Sequence, residues 1–322
     1  MQYRNMGKSG LKLSAISLGA WVTFGDQIDA GIASDLIHRA YDAGINFFDN
    51  ADIYAKGKAE EVMGAAIKDL PRQGLVISSK VFWPTMPGPN GGGLSRKHII
   101  ESCEASLRRL GLDYLDIYFC HRYDPVTPLD EVVRAMDDLI RQGKVLYWGT
   151  SEWRGAQIAN AYSLALQYGG YAPVVEQPQY SMLVRRNVEA ELVPAAEDLG
   201  FGMVTWSPLK FGLLSGKYNQ GDPEEKTRLT REPEWGSKVV TPERLEKVRQ
   251  LTDLARELDA STAQLAIAWL LRLPQVSSVI TGATRIQHLD DNLGAIGVSD
   301  KLTPEVLERI EAILDNAPGD ES

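Results

Sequence analysis

The chain is predicted to be an α/β protein, a closed (β/α)8 TIM barrel. Three observations point there. Eight short apolar runs alternate with longer amphipathic stretches across most of the 322 residues. The joins between them repeat one order: helix, glycine, next apolar run. No G-x-G-x-x-G turn is present, and an open doubly wound nucleotide-binding sheet would need one after its first strand.

The opening segment, Tyr3-Arg4-Asn5-Met6-Gly7 to Leu11-Lys12-Leu13, reads as a small hairpin turning at Lys8-Ser9-Gly10 and placed to cover the barrel's N-terminal end. Strands are predicted at 16–18, 46–49, 75–80, 114–120, 145–150, 174–177, 202–206 and 276–281, each with a β-branched or aromatic core. Between them, 32–43, 59–68, 97–110, 129–142, 157–167, 188–199 and 245–258 repeat apolar positions three and four apart, the spacing of one helix face. Further helices are predicted at 263–271, 292–296 and 305–314. Gly44, Gly111, Gly143 and Gly200 stand just past helices, where a left-handed residue closes the last turn. The whole of 1–322 is expected to form one barrel domain, a length such barrels commonly have. Segments 82–94 and 208–241 exceed what a connection requires and read as binding loops or lids.

Composition narrows the function classes. The chain is 44% hydrophobic and 24% charged, with a net charge of −9. An acidic surface does not suit a polyphosphate backbone or an anionic bilayer, so neither nucleic-acid binding nor membrane insertion is expected. No apolar run approaches the ~20 residues of a bilayer span. The first residues carry no apolar signal core, so a cytoplasmic location is expected by default. The two cysteines, Cys103 and Cys120, and the four scattered histidines lack metal-ligand spacing; no metal is expected.

The chemistry is concentrated at three consecutive strand ends. Asp49 and Tyr54 lie in Phe47-Phe48-Asp49-Asn50-Ala51-Asp52-Ile53-Tyr54, Lys80 ends Val76-Ile77-Ser78-Ser79-Lys80, and His121 ends Asp116-Ile117-Tyr118-Phe119-Cys120-His121. Taken singly, an Asp there is usually a helix cap, a Tyr packing, a Lys a solvated cation and a His a structural group. Adjacent barrel strands place the four side by side at the C-terminal face, where barrel active sites sit. A phenol is a poor acid at neutral pH, but a nearby ammonium favours its ionised form. Lys80 is read as that ammonium, Asp49 as its partner, His121 as a donor to a carbonyl oxygen and Tyr54 as the proton source. A Schiff-base aldolase with Lys80 as nucleophile is a competing reading.

At these residues the chain resembles the aldo-keto reductases, over nearly its whole length, and most closely their branch of potassium-channel β-subunits and bacterial relatives. The motifs are Gly19-Ala20-Trp21-Val22-Thr23-Phe24-Gly25, Asp49-Asn50-Ala51-Asp52-Ile53-Tyr54, Tyr147-Trp148-Gly149-Thr150-Ser151, Trp206-Ser207-Pro208-Leu209 and Gly282-Ala283-Thr284. The resemblance implies reduction of aldehydes or ketones with NADPH through an Asp-Tyr-Lys-His tetrad, here Asp49, Tyr54, Lys80 and His121. Channel β-subunits often carry Asn where His121 stands, so His121 favours catalysis over a purely regulatory role.

The same resemblance implies the cofactor contacts. Trp206 would stack under the nicotinamide, with Ser151 and Gln177 bonding its carboxamide, Trp21 at the mouth, and Asp49 and Gln27 as further cofactor contacts. Ser207, Leu209 and Lys217 would follow the pyrophosphate, with Arg228 clamping it and Pro208 and Gly212 as further cofactor contacts. Gly282, Thr284 and Arg285 would take the 2′-phosphate, and His288, Asp291 and Asn292 the adenine side. Glu152 stands where relatives often have Arg. The substrate would be a small carbonyl compound against an aromatic wall of Trp21, Phe82 and Trp83. A homo-tetramer is the assembly often formed in that branch. The alternative function it implies is a sensing subunit that binds NADP(H) and turns over slowly.

Overall fold

The β-branched and aromatic runs pair into one ring of parallel strands. The computed structural model describes residues 1–21, 23–25, 27–221 and 238–319. Two short strands, β1 (Tyr3–Asn5) and β2 (Lys12–Ser14), pair antiparallel as the predicted hairpin. The ring follows: β3 (Ile16–Gly19), β4 (Phe47–Asp49), β5 (Val76–Val81), β6 (Leu115–Cys120), β7 (Val145–Ser151), β8 (Val175–Gln177), β9 (Gly202–Thr205) and β10 (Val276–Thr281). Each strand pairs with the next, and β10 pairs with both β9 and β3, which closes the barrel.

Helices α1 (Ala30–Asp42), α2 (Lys58–Ile67), α3 (Arg96–Leu110), α4 (Leu129–Arg141), α5 (Gly155–Gln167), α6 (Val193–Leu199), α7 (Pro242–Glu257), α8 (Thr262–Leu270), α9 (Ile286–Gly294) and α10 (Pro304–Leu314) surround the ring. Side chains such as Asp29, Thr241, Ser261 and Thr303 accept from the first turns of their helices. Gly111 and Gly200 close α3 and α6 with φ of 67° and 83°. Two helices depart from the sequence reading. The stretch 188–199 opens as a wide π-turn over Asn187–Leu192 before α6, because Pro194 has no N–H to donate back into the preceding turn. The helix expected at 292–296 begins earlier, at Ile286, since Ile286, Leu289 and Leu293 already carry helical spacing.

Strand alternation divides the ring into two faces. One set of positions (Phe48, Ile77, Tyr118 and Met203 among them) packs outward under the helices. The other set (Phe47, Val76, Ile117, Phe119, Val175, Val204 and Ile280) fills the interior, with Met6 and Leu13 of the hairpin packed into the same cluster. Burying two such side chains stabilises the closure by about 1.5–3 kcal/mol each. The hairpin is also tied in by Arg4, whose guanidinium donates to the backbone oxygens of Leu271, Leu273 and Val276. It covers the N-terminal end of the barrel, as the sequence predicts, and leaves the opposite end for the site.

Candidate active site at the C-terminal barrel face

The interior alternation carries directly into the site. Two residues beyond Phe47 stands Asp49, four beyond Val76 stands Lys80, and two beyond Phe119, Val175 and Val204 stand His121, Gln177 and Trp206. Strand parity alone therefore turns these side chains toward the barrel axis.

At the centre, Lys80 Nζ lies 2.7 Å from Asp49 Oδ2 and donates to Asn50 O at 2.6 Å. Lys80 has no solvent exposure. Asp49 Oδ1 accepts from Ser78 Oγ at 2.7 Å and from Gln177 Nε2 at 3.0 Å. The carboxylate thus has three donors, which fixes its orientation. Burial lowers the Lys80 ammonium from the ordinary lysine range, Asp49 opposes that shift, and the nearby Arg122 charge adds to it.

Tyr54 stands over this pair. It opens a tight turn in which Ala55, Lys56 and Gly57 all have positive φ (46°, 56° and 87°). Two non-glycine residues in the left-handed region carry a strain of order 1–3 kcal/mol each, which the packing around the turn must hold. The Lys80 ammonium is 5.0 Å from the centre of the Tyr54 ring. The His121 ring stands edge-on to Tyr54, 5.9 Å between centres. His121 is buried, and burial first, then the Lys80 and Arg122 charges, hold its pKa well below the usual histidine range. The imidazole is therefore neutral at physiological pH. Its Nδ1 is buried with no hydrogen-bond partner among the described residues, which leaves Nε2 to meet a bound molecule.

The mouth is aromatic. Trp21 meets Trp206 edge-to-face at 5.3 Å and Phe211 at 6.2 Å. Trp83 stands edge-on to Phe82 at 5.1 Å and to His121 at 6.4 Å. Glu152 anchors one side: its Oε1 accepts from Trp206 Nε1 at 2.9 Å and from Gln179 N at 2.5 Å. Glu152 has a φ of 58°. Ser151 Oγ donates to Gln177 O at 2.9 Å.

The expected phosphate-side residues gather after β9 and β10. Ser207, Lys210, Phe211 and Gly212 all have positive φ, so the chain after Trp206 turns sharply along Pro208 and Leu209. A side chain at Gly212 would come within 2.9 Å of Lys217 Nζ, so glycine there gives the ammonium room. A side chain at Gly282 would meet only the Thr23 methyl, at 4.0 Å. Helix α9 begins directly after Arg285 with no side-chain cap and no acidic residue in its first turn, so its N–H groups suit an anion. Arg285 Nε and Thr284 Oγ1 both contact the His288 ring. These residues fit a phosphorylated dinucleotide.

Three other expected members are engaged or buried within the fold. Asp291 accepts from Ser261 and Gln264, joining the first turn of α8, and the neighbouring Asn292 is buried. Gln27 lies in the turn after β3, its N–H bonded to Thr23 O. Arg228 lies outside the described residues. Sequence reasoning missed Ser78, the Asn50 carbonyl, Glu152 and Arg122. Ser78 shares the interior parity of Lys80 and was open to discovery; Glu152 depends on a left-handed turn that its residue type does not signal.

The sequence profile of the aldo/keto reductase family matches residues 15–315. The chain belongs to that family. It is 48% identical to proteins of Arabidopsis thaliana and of Oryza sativa subsp. japonica named as probable voltage-gated potassium channel subunits beta, each over 99% of this chain and 98% of theirs. A Schizosaccharomyces pombe protein named as a putative subunit of the same kind is 46% identical over 98% of this chain and 94% of its own. This aldo/keto reductase is accordingly an oxidoreductase that uses a nicotinamide cofactor. None of the helices among its described residues is long and apolar enough to cross a membrane.

Proposed function

We propose that this aldo/keto reductase reduces aldehydes or ketones to alcohols with NADPH. The observation that carries this reading is the buried Lys80–Asp49 pair set beneath Tyr54 and beside a neutral His121 at the open barrel end. The cofactor, when bound, supplies the hydride. The Tyr54 hydroxyl gives its proton to the carbonyl oxygen as charge develops there. Lys80 stabilises the phenolate left behind, and Asp49 holds Lys80 charged against the pull of burial. His121 Nε2–H donates to the same oxygen and sets its position.

Trp206, held by Glu152, offers the flat face for the nicotinamide. Ser151 and Gln177 keep acceptor sites for a carboxamide after their internal bonds are made. Thr284, Arg285 and the start of α9 favour NADPH over NADH by receiving the 2′-phosphate, while Gly212 and Lys217 lie toward the pyrophosphate. His288, Asp291 and Asn292 border the adenine side.

The names of the relatives favour a second reading, a subunit of a potassium channel; such a subunit would bind NADP(H) as a sensor and turn over slowly. The intact tetrad, His121 above all, favours the enzyme. The pairing of Lys80 with Asp49 and Asn50 counts against its use as a Schiff-base nucleophile.

The test is oxidation of NADPH by the purified protein with a panel of aldehydes, ketones and dicarbonyls, beside Tyr54→Phe. Turnover abolished by Tyr54→Phe is expected. Tight cofactor binding with no turnover across the panel would sink the reductase reading in favour of the sensing subunit.

A further inference from the structure

Arg122 follows His121 at the end of β6 and is half-buried. Its guanidinium carbon lies 5.7 Å from the centre of the Trp83 ring, on the wall of the mouth. One N–H group donates to the His121 carbonyl oxygen. No ion pair of Arg122 occurs among the described residues, although the guanidinium lies close enough to lower the pKa of both Lys80 and His121.

Carboxylates at the same barrel end are committed elsewhere. Asp49 serves Lys80, Ser78 and Gln177; Glu152 serves Trp206 and Gln179; Asp124 accepts from Leu94 N, Val126 N and Thr127. A second cation this close to Lys80 opposes the charged ammonium. It adds positive charge to the mouth beyond that of Lys80, which suits an anion there.

The topology says which anion. In the closed ring β10-β3-β4-β5-β6-β7-β8-β9, β6 stands four strands from β10 in either direction, diametrically opposite. The phosphate-suited residues after β10 are thus on the far side of the barrel from Arg122. The anion that meets Arg122 belongs to the substrate end.

We propose that Arg122 selects carbonyl substrates that also carry a carboxylate. The guanidinium fork matches a carboxylate with two parallel hydrogen bonds. Trp83, in contact with both Arg122 and His121, offers a flat surface for the spacer joining carboxylate and carbonyl. A planar or aromatic aldehyde acid has the right chemistry. The proposal rests on the reductase reading above.

The test compares para-carboxybenzaldehyde with its neutral methyl ester, measured as the ratio of kcat/KM. The wild-type protein is expected to prefer the acid. Arg122→Met should lower the acid-to-ester ratio by about tenfold or more, the worth of a charge-assisted hydrogen bond, mainly through KM of the acid. Arg122→Lys should restore part of it. Changes in the Lys80 or His121 pKa affect both substrates and cancel in the ratio. Equal loss for acid and ester, or a wild-type preference for the ester, overturns the proposal. A second readout needs no turnover: benzoate binding to the NADP+-loaded protein, followed by tryptophan fluorescence, should weaken in Arg122→Met. Turnover of neither aldehyde would overturn the reductase reading, and the benzoate titration would then decide the anion site alone.

Discussion

Gln177 reaches across the full width of the barrel to Asp49, Nε2 to Oδ1 at 3.0 Å. Their strands, β8 and β4, stand opposite each other in the ring. The Asp49 carboxylate is therefore held from its own side by Ser78 and from the far wall by Gln177.

Gln177→Leu removes that far anchor while keeping the volume close. A hydrogen bond to a buried charge contributes about 1.5–3 kcal/mol, so stability should fall by that amount. Urea unfolding measures it. An unchanged midpoint would mean that the cross-barrel bond is not formed in solution.

Stability should also decline as pH rises from about 4 to about 8. Burial, with Glu60 nearby, pushes the Asp52 carboxyl up to about 8, and both its oxygens are buried without partners. Burial pushes the Glu176 carboxyl up to about 8 as well. Both folded values lie above the unfolded ones, so the folded state holds protons that the unfolded chain has released. Their contribution is whole below the unfolded values and is lost as pH climbs through the folded ones. Each group should account for on the order of 2 kcal/mol between pH 6 and 8. Thermal unfolding across that range should flatten in Asp52→Asn and in Glu176→Gln. A wild-type curve that is already flat would contradict the assignment.

Glu152 is expected to act through the Trp206 ring. Glu152→Ala frees the indole and should weaken cofactor binding about tenfold, the value of one good hydrogen bond. Glu152→Gln keeps an acceptor for both Trp206 and Gln179 and should retain most of the affinity. Quenching of tryptophan emission by NADPH reads both variants. Equal loss in the two would point to the charge rather than to ring placement.

Arg285→Ala should weaken NADPH about tenfold to a hundredfold and NADH far less, because only the former carries a phosphate for the guanidinium. Parallel titrations with the two cofactors decide it. A uniform loss would remove Arg285 from 2′-phosphate recognition.

The barrel was legible because strand cores and helix-ending glycines are local signals. The grouping of Asp49, Lys80 and His121 was legible because parity and strand order bring them together without any detail of packing. Other features depend on long-range geometry. Nothing near Gln177 in sequence reveals that its amide would meet a carboxylate on the opposite strand. The turn at Glu152 is left-handed without a glycine to announce it. Ala55 and Lys56, which present Tyr54, hide in the same way. The wide turn before α6 was marked by Pro194, yet apolar spacing through 188–199 masked it.

The pairing of β10 with both β9 and β3 bears on how the protein is made. Synthesis runs from the N-terminus, so seven strands of the ring emerge before the one that seals it. Until residues 276–281 leave the ribosome, β3 and β9 present raw hydrogen-bonding edges, the kind that recruit stray strands. Arg4 likewise waits for the carbonyls of Leu271, Leu273 and Val276. The nascent chain thus passes through a long exposed interval, and roughly its last seventh decides whether the rest becomes a reductase or an aggregate.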